Sequence, residues 1–373
     1  MSSVEPMTKP SENEETAVAV TEKPAPTEPH EILAETVKDL KRGDKVAIFT
    51  QDNPDPDAIG SAFGLSWLIK KINSSASVVI FYGGEISHPQ NRTFVNLLNI
   101  QMRRVDNAKD YDEYSLKIFV DVASSGQKNL QSVTVQPDII IDHHEDNPEG
   151  DYILKDIRVM GATATMICEY LLNSGFQLNE ESEEDVNVAT ALLFAIENDT
   201  GNLVSENTRQ LDIDCFLYLL KRVDINIITN VRNYPIPRYF FELEEIANQN
   251  KKIVGSVLVT GLEFLKPDRR DALPYIADKF LRMEGIETVV VFGIIDDYLV
   301  ASLRTTNKSI SLNSICHSIF GESYSGAKTG SGGARVPLGL MAPKNAKEEV
   351  RNLVWEALKT KLTAEIIDKI SGQ

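Results

Sequence analysis

Short apolar runs alternate with longer segments in which apolar positions recur every three or four residues, beginning at about residue 30. The runs at 45–50, 78–82, 116–121 and 138–142 are short and rich in Val, Ile and Phe, so they predict buried strands. Around them, the three-to-four spacing predicts helices over 32–40, 60–71, 89–98, 161–173 and 183–197. Strands alternating with helices predict an α/β domain built on a mostly parallel, helix-covered sheet. Pro235 and Pro237 then interrupt a helical region and place a domain joint near 225–240, with a long helix running to about 250. Beyond the joint, strands are expected at 253–259, 287–295 and 298–303, with helices over 271–283, 309–320 and from about 344. Asp296 and Asp297 separate two of these strands as a hairpin turn, and the glycines between Gly326 and Gly333 predict a loop. The expected organisation is a disordered acidic tail over 1–29, a first domain over 30–232, and a linker helix with a smaller mixed α/β domain over 233–373. A cleft between the two domains is expected to hold the site.

Composition narrows the partners. An apolar fraction of 42% and a charged fraction of 25% are those of an ordinary soluble globular protein. The net charge of −17 argues against a basic groove for duplex nucleic acid. A small nucleotide held by one local cluster and a metal remains compatible with it. Cys168, Cys215 and Cys316 form no CxxC pair and leave an odd count, which predicts reduced core thiols. No apolar stretch approaches the roughly 18 residues that cross a bilayer, and no signal-peptide pattern opens the chain. A cytoplasmic protein without a membrane partner is the expectation, and a homodimer is compatible with it.

The chemistry gathers at strand ends. Asp142, His143 and His144 close the run 138–142; Asp55 and Asp57 follow the run 45–50, and Asp121 ends the run 116–121. Parallel sheets place ligands at the carboxyl ends of their strands, and carboxylates with imidazoles suit divalent cations such as manganese. Each feature also has a plainer reading. Asn53, Pro54, Asp55, Pro56 and Asp57 suit a turn and helix cap, Asp121 suits a cap, and Asp199 closes an apolar helix before Thr200 and Gly201. Their joint order along one α/β domain is harder to assign to turns. Gly60 and Ser61 open a helix whose free N–H groups favour an anion.

In that order, Asn53-Pro-Asp55-Pro-Asp57-Ala-Ile-Gly-Ser, Asp121, Asp142-His-His144 and Asp199-Thr-Gly resemble the four motifs of the DHH phosphoesterase superfamily. The resemblance is strong over about 45–200 and extends to the C-terminal domain. There Ala301-Ser-Leu-Arg304 and Gly330-Ser331-Gly332-Gly333 are similar to the substrate-binding motifs of the DHH-associated domain. It implies a centre for two manganese ions, with magnesium or cobalt as alternatives. Asp55 and the residue at position 51 would hold the first ion, Asp57, His143 and Asp199 the second, and Asp121 both. Asp142 would orient an imidazole, and His144 would face the scissile phosphate. Arg304, Ser331, Gly332 and Gly333 would meet the substrate. Two positions depart from the pattern: Gln51 stands where the family carries a histidine, and Ala334, followed by Arg335, stands where a histidine commonly follows the glycines. Gln51 could coordinate through its amide oxygen, and Arg335 could take over a phosphate contact. Asn91 and Arg92 open a helix beside another strand end and could hold a phosphate, with His88 able to supply the imidazole missing at 51; an exposed helix start is the plainer reading.

The resemblance implies a metal-dependent phosphoesterase hydrolysing short oligonucleotides, dinucleotides or nucleotide bisphosphates. The alternatives are a pyrophosphatase or polyphosphatase with the same centre, and a nucleotide-binding protein without catalysis.

Overall fold

The computed structural model describes residues 27–105, 111–124, 130–328 and 330–371. The first unit runs α1 (Pro29–Lys38), β1 (Lys45–Asp52), α2 (Pro56–Ile72), β2 (Ser77–Gly83), α3 (Pro89–Leu97), β3 (Met102–Arg104), β4 (Leu116–Val120), β5 (Ile139–Asp142) and β6 (Leu154–Ile157). It closes with α4 (Thr163–Asn173), α5 (Glu183–Asp199), α6 (Gln210–Leu220) and α7 (Ile225–Arg232). Its strands form one sheet in the order β3-β2-β1-β4-β5-β6, every neighbouring pair parallel. The strand order reverses beside β1, so β1 and β4 flank the switch point and open a crevice at their carboxyl ends.

The two faces of this sheet are covered differently. Val46, Ile48, Ile118, Val120, Ile139 and Ile141 join the apolar faces of the helices in one core. On the opposite face Ala47, Phe49, Phe81, Phe119 and Ile140 pack against Tyr111, Tyr114, Leu130 and Val133, which lie outside any helix. Among the described residues, the helices that cover the sheet all pack on the first of these faces.

After α8 (Arg238–Asn250), the second unit runs β7 (Lys252–Val254), β8 (Val257–Leu265), α9 (Ala272–Phe280), β9 (Thr288–Ile295), β10 (Tyr298–Thr305), α10 (Leu312–Phe320), β11 (Ser325–Lys328), β12 (Ser331–Pro337) and α11 (Glu348–Ser371). Its mixed sheet has the order β11-β12-β10-β9-β8-β7, with β8 and β9 parallel and the other pairs antiparallel. The Asp296-Asp297 turn joins β9 to β10, with Ile295 opposite Tyr298 and Asp296 at φ 51°.

Local physics explains where the expected elements shift. Helix α2 starts at Pro56 rather than at 60, because Asp55 caps it by accepting from the Ala58 N–H at 3.0 Å and proline suits the first helical position. The strand expected at 253–259 is a hairpin, split where Gly255 takes a φ of 57°. The expected glycine loop is mostly strand: Ser331, Gly332 and Gly333 pair with Arg304, Leu303 and Ser302. Up to residue 26, the expected acidic tail lies outside the described residues. Cys168, Cys215 and Cys316 are free and buried, and among the described residues no helix is long and apolar enough to cross a membrane.

Candidate metal centre

Three adjacent strand ends converge at the switch point. The chain leaving β1 supplies Gln51 and Asp55, β4 ends at Asp121, and β5 ends at Asp142, His143 and His144. Asp57 lies in the first turn of α2 rather than in an irregular turn, and Asp199 lies in the last turn of α5. Asp121 holds a φ of 59° while its N–H continues the ladder to the Ile141 carbonyl at 3.0 Å. A non-glycine residue there costs local strain, which the β4–β5 pairing and a hydrogen bond from the Thr163 hydroxyl at 3.0 Å hold in place.

His143 lies at the focus of this convergence. Its Nδ1 is 3.0 Å from the Met160 carbonyl oxygen, which can only accept, so Nδ1 carries the proton. The lone pair on Nε2 then faces Asp199 Oδ2 at 3.3 Å, Asp121 Oδ1 at 3.5 Å and Asp57 Oδ2 at 3.9 Å. A lone pair facing three carboxylate oxygens is repulsive unless a proton or a cation lies between them. Burial lowers the His143 pKa, but Asp57 and Asp199, helped by the Met160 carbonyl, outweigh it and raise the imidazole above its usual value. Burial first, with Asp55 adding and His143 opposing, pushes Asp57 up to about 6. Burial and the Asp57 charge push Asp199 up to about 7. Asp121, buried among four other carboxylates, is raised well above the ordinary range. This donor set fits a divalent cation, which would remove the repulsion between buried like charges. Among the described residues, two groups have ligand atoms all within 4.8 Å of one another: Asp57, His143 and Asp199, and Asp121, His143 and His144.

The carboxylates are held from behind. The N–H groups of Thr163 and Ala164, at the start of α4, reach the two oxygens of Asp57 at 2.7 and 2.9 Å, and Ser61 adds a third bond at 3.2 Å. Sequence reasoning missed Thr163 and Met160. Their contributions come mainly from backbone atoms and a hydroxyl, which no motif advertises. Gly161 was also missed. A Cβ there would lie 2.5 Å from the Asp212 carboxylate and 2.6 Å from Thr200, so only glycine lets α4 start this close. Asp142 accepts from the His144 backbone N–H at 3.1 Å and from its Nδ1 at 2.9 Å, which leaves Nε2 as the other edge of a partly exposed ring. A cavity of about 510 Å³ opens here, lined by Ala123, Asp142, His143, His144, Asn207 and, from the second unit, Lys328.

Other expected site residues have different surroundings. Gln51 turns its amide nitrogen, not its oxygen, toward Asp55 at 3.1 Å and Asp121 at 3.5 Å. Asn91 is buried and donates to the Pro54 carbonyl at 3.1 Å, so it braces the loop before α2. Arg92 lies against the Tyr239 hydroxyl of α8. His88 precedes α3 without a capping bond from its ring and lies outside both groups that could hold a cation, although it and Asp55 line one cavity of about 320 Å³ between the units. Ser87 bonds Asp271 of the second unit at that junction. Arg304 pairs with Asp278 at 2.6 Å and also bonds the Ser302 hydroxyl. Gly332 is required by packing, since a Cβ would lie 2.9 Å from both Ala327 and Cys316, whereas Gly333 would meet only ordinary contacts. Ser331 lies opposite Arg304 near the hairpin tip. Arg335, opposite Val300, stacks 4.0 Å over Tyr298 toward the far end of the strand, so it is not brought to the glycines' end.

Residues 45–196 match the family described as DHH family, N-terminal domain. The chain is 34% identical over 317 residues to the uncharacterized protein MJ1633 of Methanocaldococcus jannaschii, covering 84% of this chain and 63% of that relative. It therefore spans less than two thirds of that protein's length. A second uncharacterized protein of the same organism, MJ0988, is 26% identical over 290 residues, covering 76% of this chain and 79% of the relative. The crystal structure of an exopolyphosphatase-related protein from Bacteroides fragilis superimposes with a TM-score of 0.62 at 16% identity, covering 90% of this chain and 97% of that one, a likeness of fold.

Proposed function

We propose that the chain, whose residues 45–196 match the DHH family N-terminal domain, is a divalent-metal-dependent phosphoesterase acting on small nucleotide substrates. The observation that carries the reading is His143, its Nδ1 fixed by Met160 and its Nε2 aimed at Asp57, Asp121 and Asp199. These four residues would hold manganese, or magnesium or cobalt in its place. Such a cation, when bound, acidifies a water and neutralises charge developing on a phosphoryl group. The α4 N–H groups keep Asp57 aligned as that charge changes. Asp142 fixes the ring of His144 through Nδ1, and the protonated ring would donate from Nε2 to the departing ester oxygen.

The size of the cleft supports short oligonucleotides, dinucleotides or nucleotide bisphosphates. Lys328 lines both the 510 Å³ cavity at the histidines and an adjoining cavity of about 820 Å³ beside Thr305, Asn307 and Ser311. Both volumes are in the usual range for small-molecule sites, and the shared lysine would offer a cation to a phosphate spanning the two cavities. The acidic balance of the chain gives a long nucleic acid little to hold.

The test offers the purified protein, with manganese, a dinucleotide, a nucleoside 3′,5′-bisphosphate and pyrophosphate, and follows product release. Nucleotide turnover that His143→Ala abolishes supports the reading. Asp142→Asn should lower kcat by about 10²–10⁴-fold with little change in KM, because the proton donor loses its orientation. Turnover of pyrophosphate alone overturns the nucleotide assignment, and nucleotide binding without turnover by the metal-loaded protein overturns the enzyme.

A further inference from the structure

The acidic cluster has two unequal halves. In one, Asp57, Asp121 and Asp199 each bring an oxygen within 3.9 Å of His143 Nε2. The other holds Asp55, the second oxygen of Asp121, and Gln51. There the Gln51 amide nitrogen donates to Asp55 Oδ2 at 3.1 Å and approaches Asp121 Oδ2 at 3.5 Å. An amide NH₂ has no lone pair to offer a cation, so it fills the wedge between these two carboxylates with hydrogens. The other oxygen of Asp55 is engaged as the α2 cap, 3.0 Å from the Ala58 N–H. Turning the amide over would present a neutral oxygen and strip both carboxylates of the hydrogens they now accept. His88 belongs to neither group whose ligand atoms converge, and it meets Asp55 only as a fellow lining residue of the cavity between the units.

We infer that the Gln51 amide confines this centre to one tightly held divalent cation, in the Asp57–Asp121–His143–Asp199 half. In the other half the amide does part of a cation's work by binding two carboxylates together. The inference rests on the metal-dependent reading proposed above and narrows it from two ions to one. It concerns a side chain that turns its NH₂ to two carboxylates, so stoichiometry tests it independently of turnover.

The full chain is stripped with a chelator and titrated with manganese alone, followed by calorimetry and by electron paramagnetic resonance. The wild type should show one tight site and the spectrum of isolated ions. Gln51→His should show two sites and a spin-coupled spectrum, because Asp121 would then be shared by both ions. The second site should be about 10–100-fold tighter in that variant than in the wild type, the range a single group near a metal contributes to its affinity. Asp199→Asn should weaken the wild-type site at least about tenfold, and Asp55→Asn should leave it nearly unchanged. Gln51→Glu, which removes the NH₂ and adds a carboxylate, should also yield two sites and serves if the histidine variant does not fold. Two tight sites in the wild type overturn the inference and leave the metal-dependent reading standing. One site in both folded position-51 variants overturns it as well. No manganese binding by any form removes the metal-dependent reading itself.

Discussion

Gly60 links helix packing to the centre's geometry, and adding one methyl there tests that link. It lies three residues after Asp57 on α2 and packs on α5, the helix that ends in Asp199. A Cβ on Gly60 would lie 2.8 Å from the Ala191 carbonyl oxygen and 2.9 Å from the Ala195 Cβ, against an ordinary contact that begins at 3.4 Å. The shortfall is about 0.6 Å, and it falls on a backbone atom and a β-carbon that no rotamer change can move. In Gly60→Ala the two helices must therefore separate, and Asp57 moves with respect to Asp199. Alanine gains about 1 kcal/mol of helix propensity, and overpacking a tight contact costs about 1–3 kcal/mol. The expected net effect is a destabilisation of about 0–2 kcal/mol, measured by urea unfolding of the chelated protein. Manganese affinity should fall about tenfold, or ~1.4 kcal/mol, measured by calorimetry. Gly64→Ala is the internal control. The atoms nearest its Cβ would all belong to side chains, with Leu192 Cδ2 at 2.9 Å and Ile167 Cγ2 at 3.2 Å and no backbone atom of α5 among them, so affinity should hold. A Gly60→Ala protein as stable as wild type with unchanged manganese affinity would refute the coupling.

Metal removal and acid each give a further check. Burial and neighbouring charge hold Asp57 at about 6 and Asp199 at about 7, above the roughly 3.9 of an unfolded aspartate. The chelated folded chain therefore keeps more protons than the unfolded one between those values, and its stability should fall as pH rises through that window. Manganese should raise Tm more at about pH 8 than at about pH 5; the opposite order in a thermal-shift titration would contradict the sign. Asp185 behaves in the other direction. Burial raises its carboxyl, but the Asn179 N–H, the Trp67 indole N–H at 2.9 Å and Lys71 outweigh that and hold it below its usual range. Its stabilisation is present above the unfolded pKa and lost as pH falls through the lowered folded value. Asp185→Asn should cost about 1–3 kcal/mol at neutral pH and flatten the acid limb of the stability curve, and an unaltered limb would disprove the role.

How far the chain could be read depended on how local each cause was. The strands at 45–50, 116–121 and 138–142 announce themselves because both faces of the first sheet are buried, so apolar residues dominate each run. The short edge strands Met102–Arg104 and Leu154–Ile157 were not foreseen. Each is short and mixes charged with apolar residues, and pairing with a neighbour, not pattern, makes it a strand. The same holds for the hairpin tip, where glycines suited to a loop are recruited by β10 and by the packing of Cys316. Asp55, Asp57, Asp121, Asp142, His143, His144 and Asp199 could be named together from the order of four short motifs, and the structure brings them to adjoining strand ends and helix termini.

What these side chains do to one another depends on contacts between residues far apart in the chain. Nothing near position 143 says that the Met160 carbonyl will fix its tautomer, and nothing near position 57 says that α4 will aim two N–H groups at it. Nor could the residues around Gln51 reveal that its donor edge would face Asp121, seventy positions away. Periodicity and capping act over a few residues, so the order of elements and the kinds of ligand follow from the primary structure alone. Protonation, ligand alignment and the inequality of the two halves of the cluster arise from long-range packing, and only the folded chain sets them.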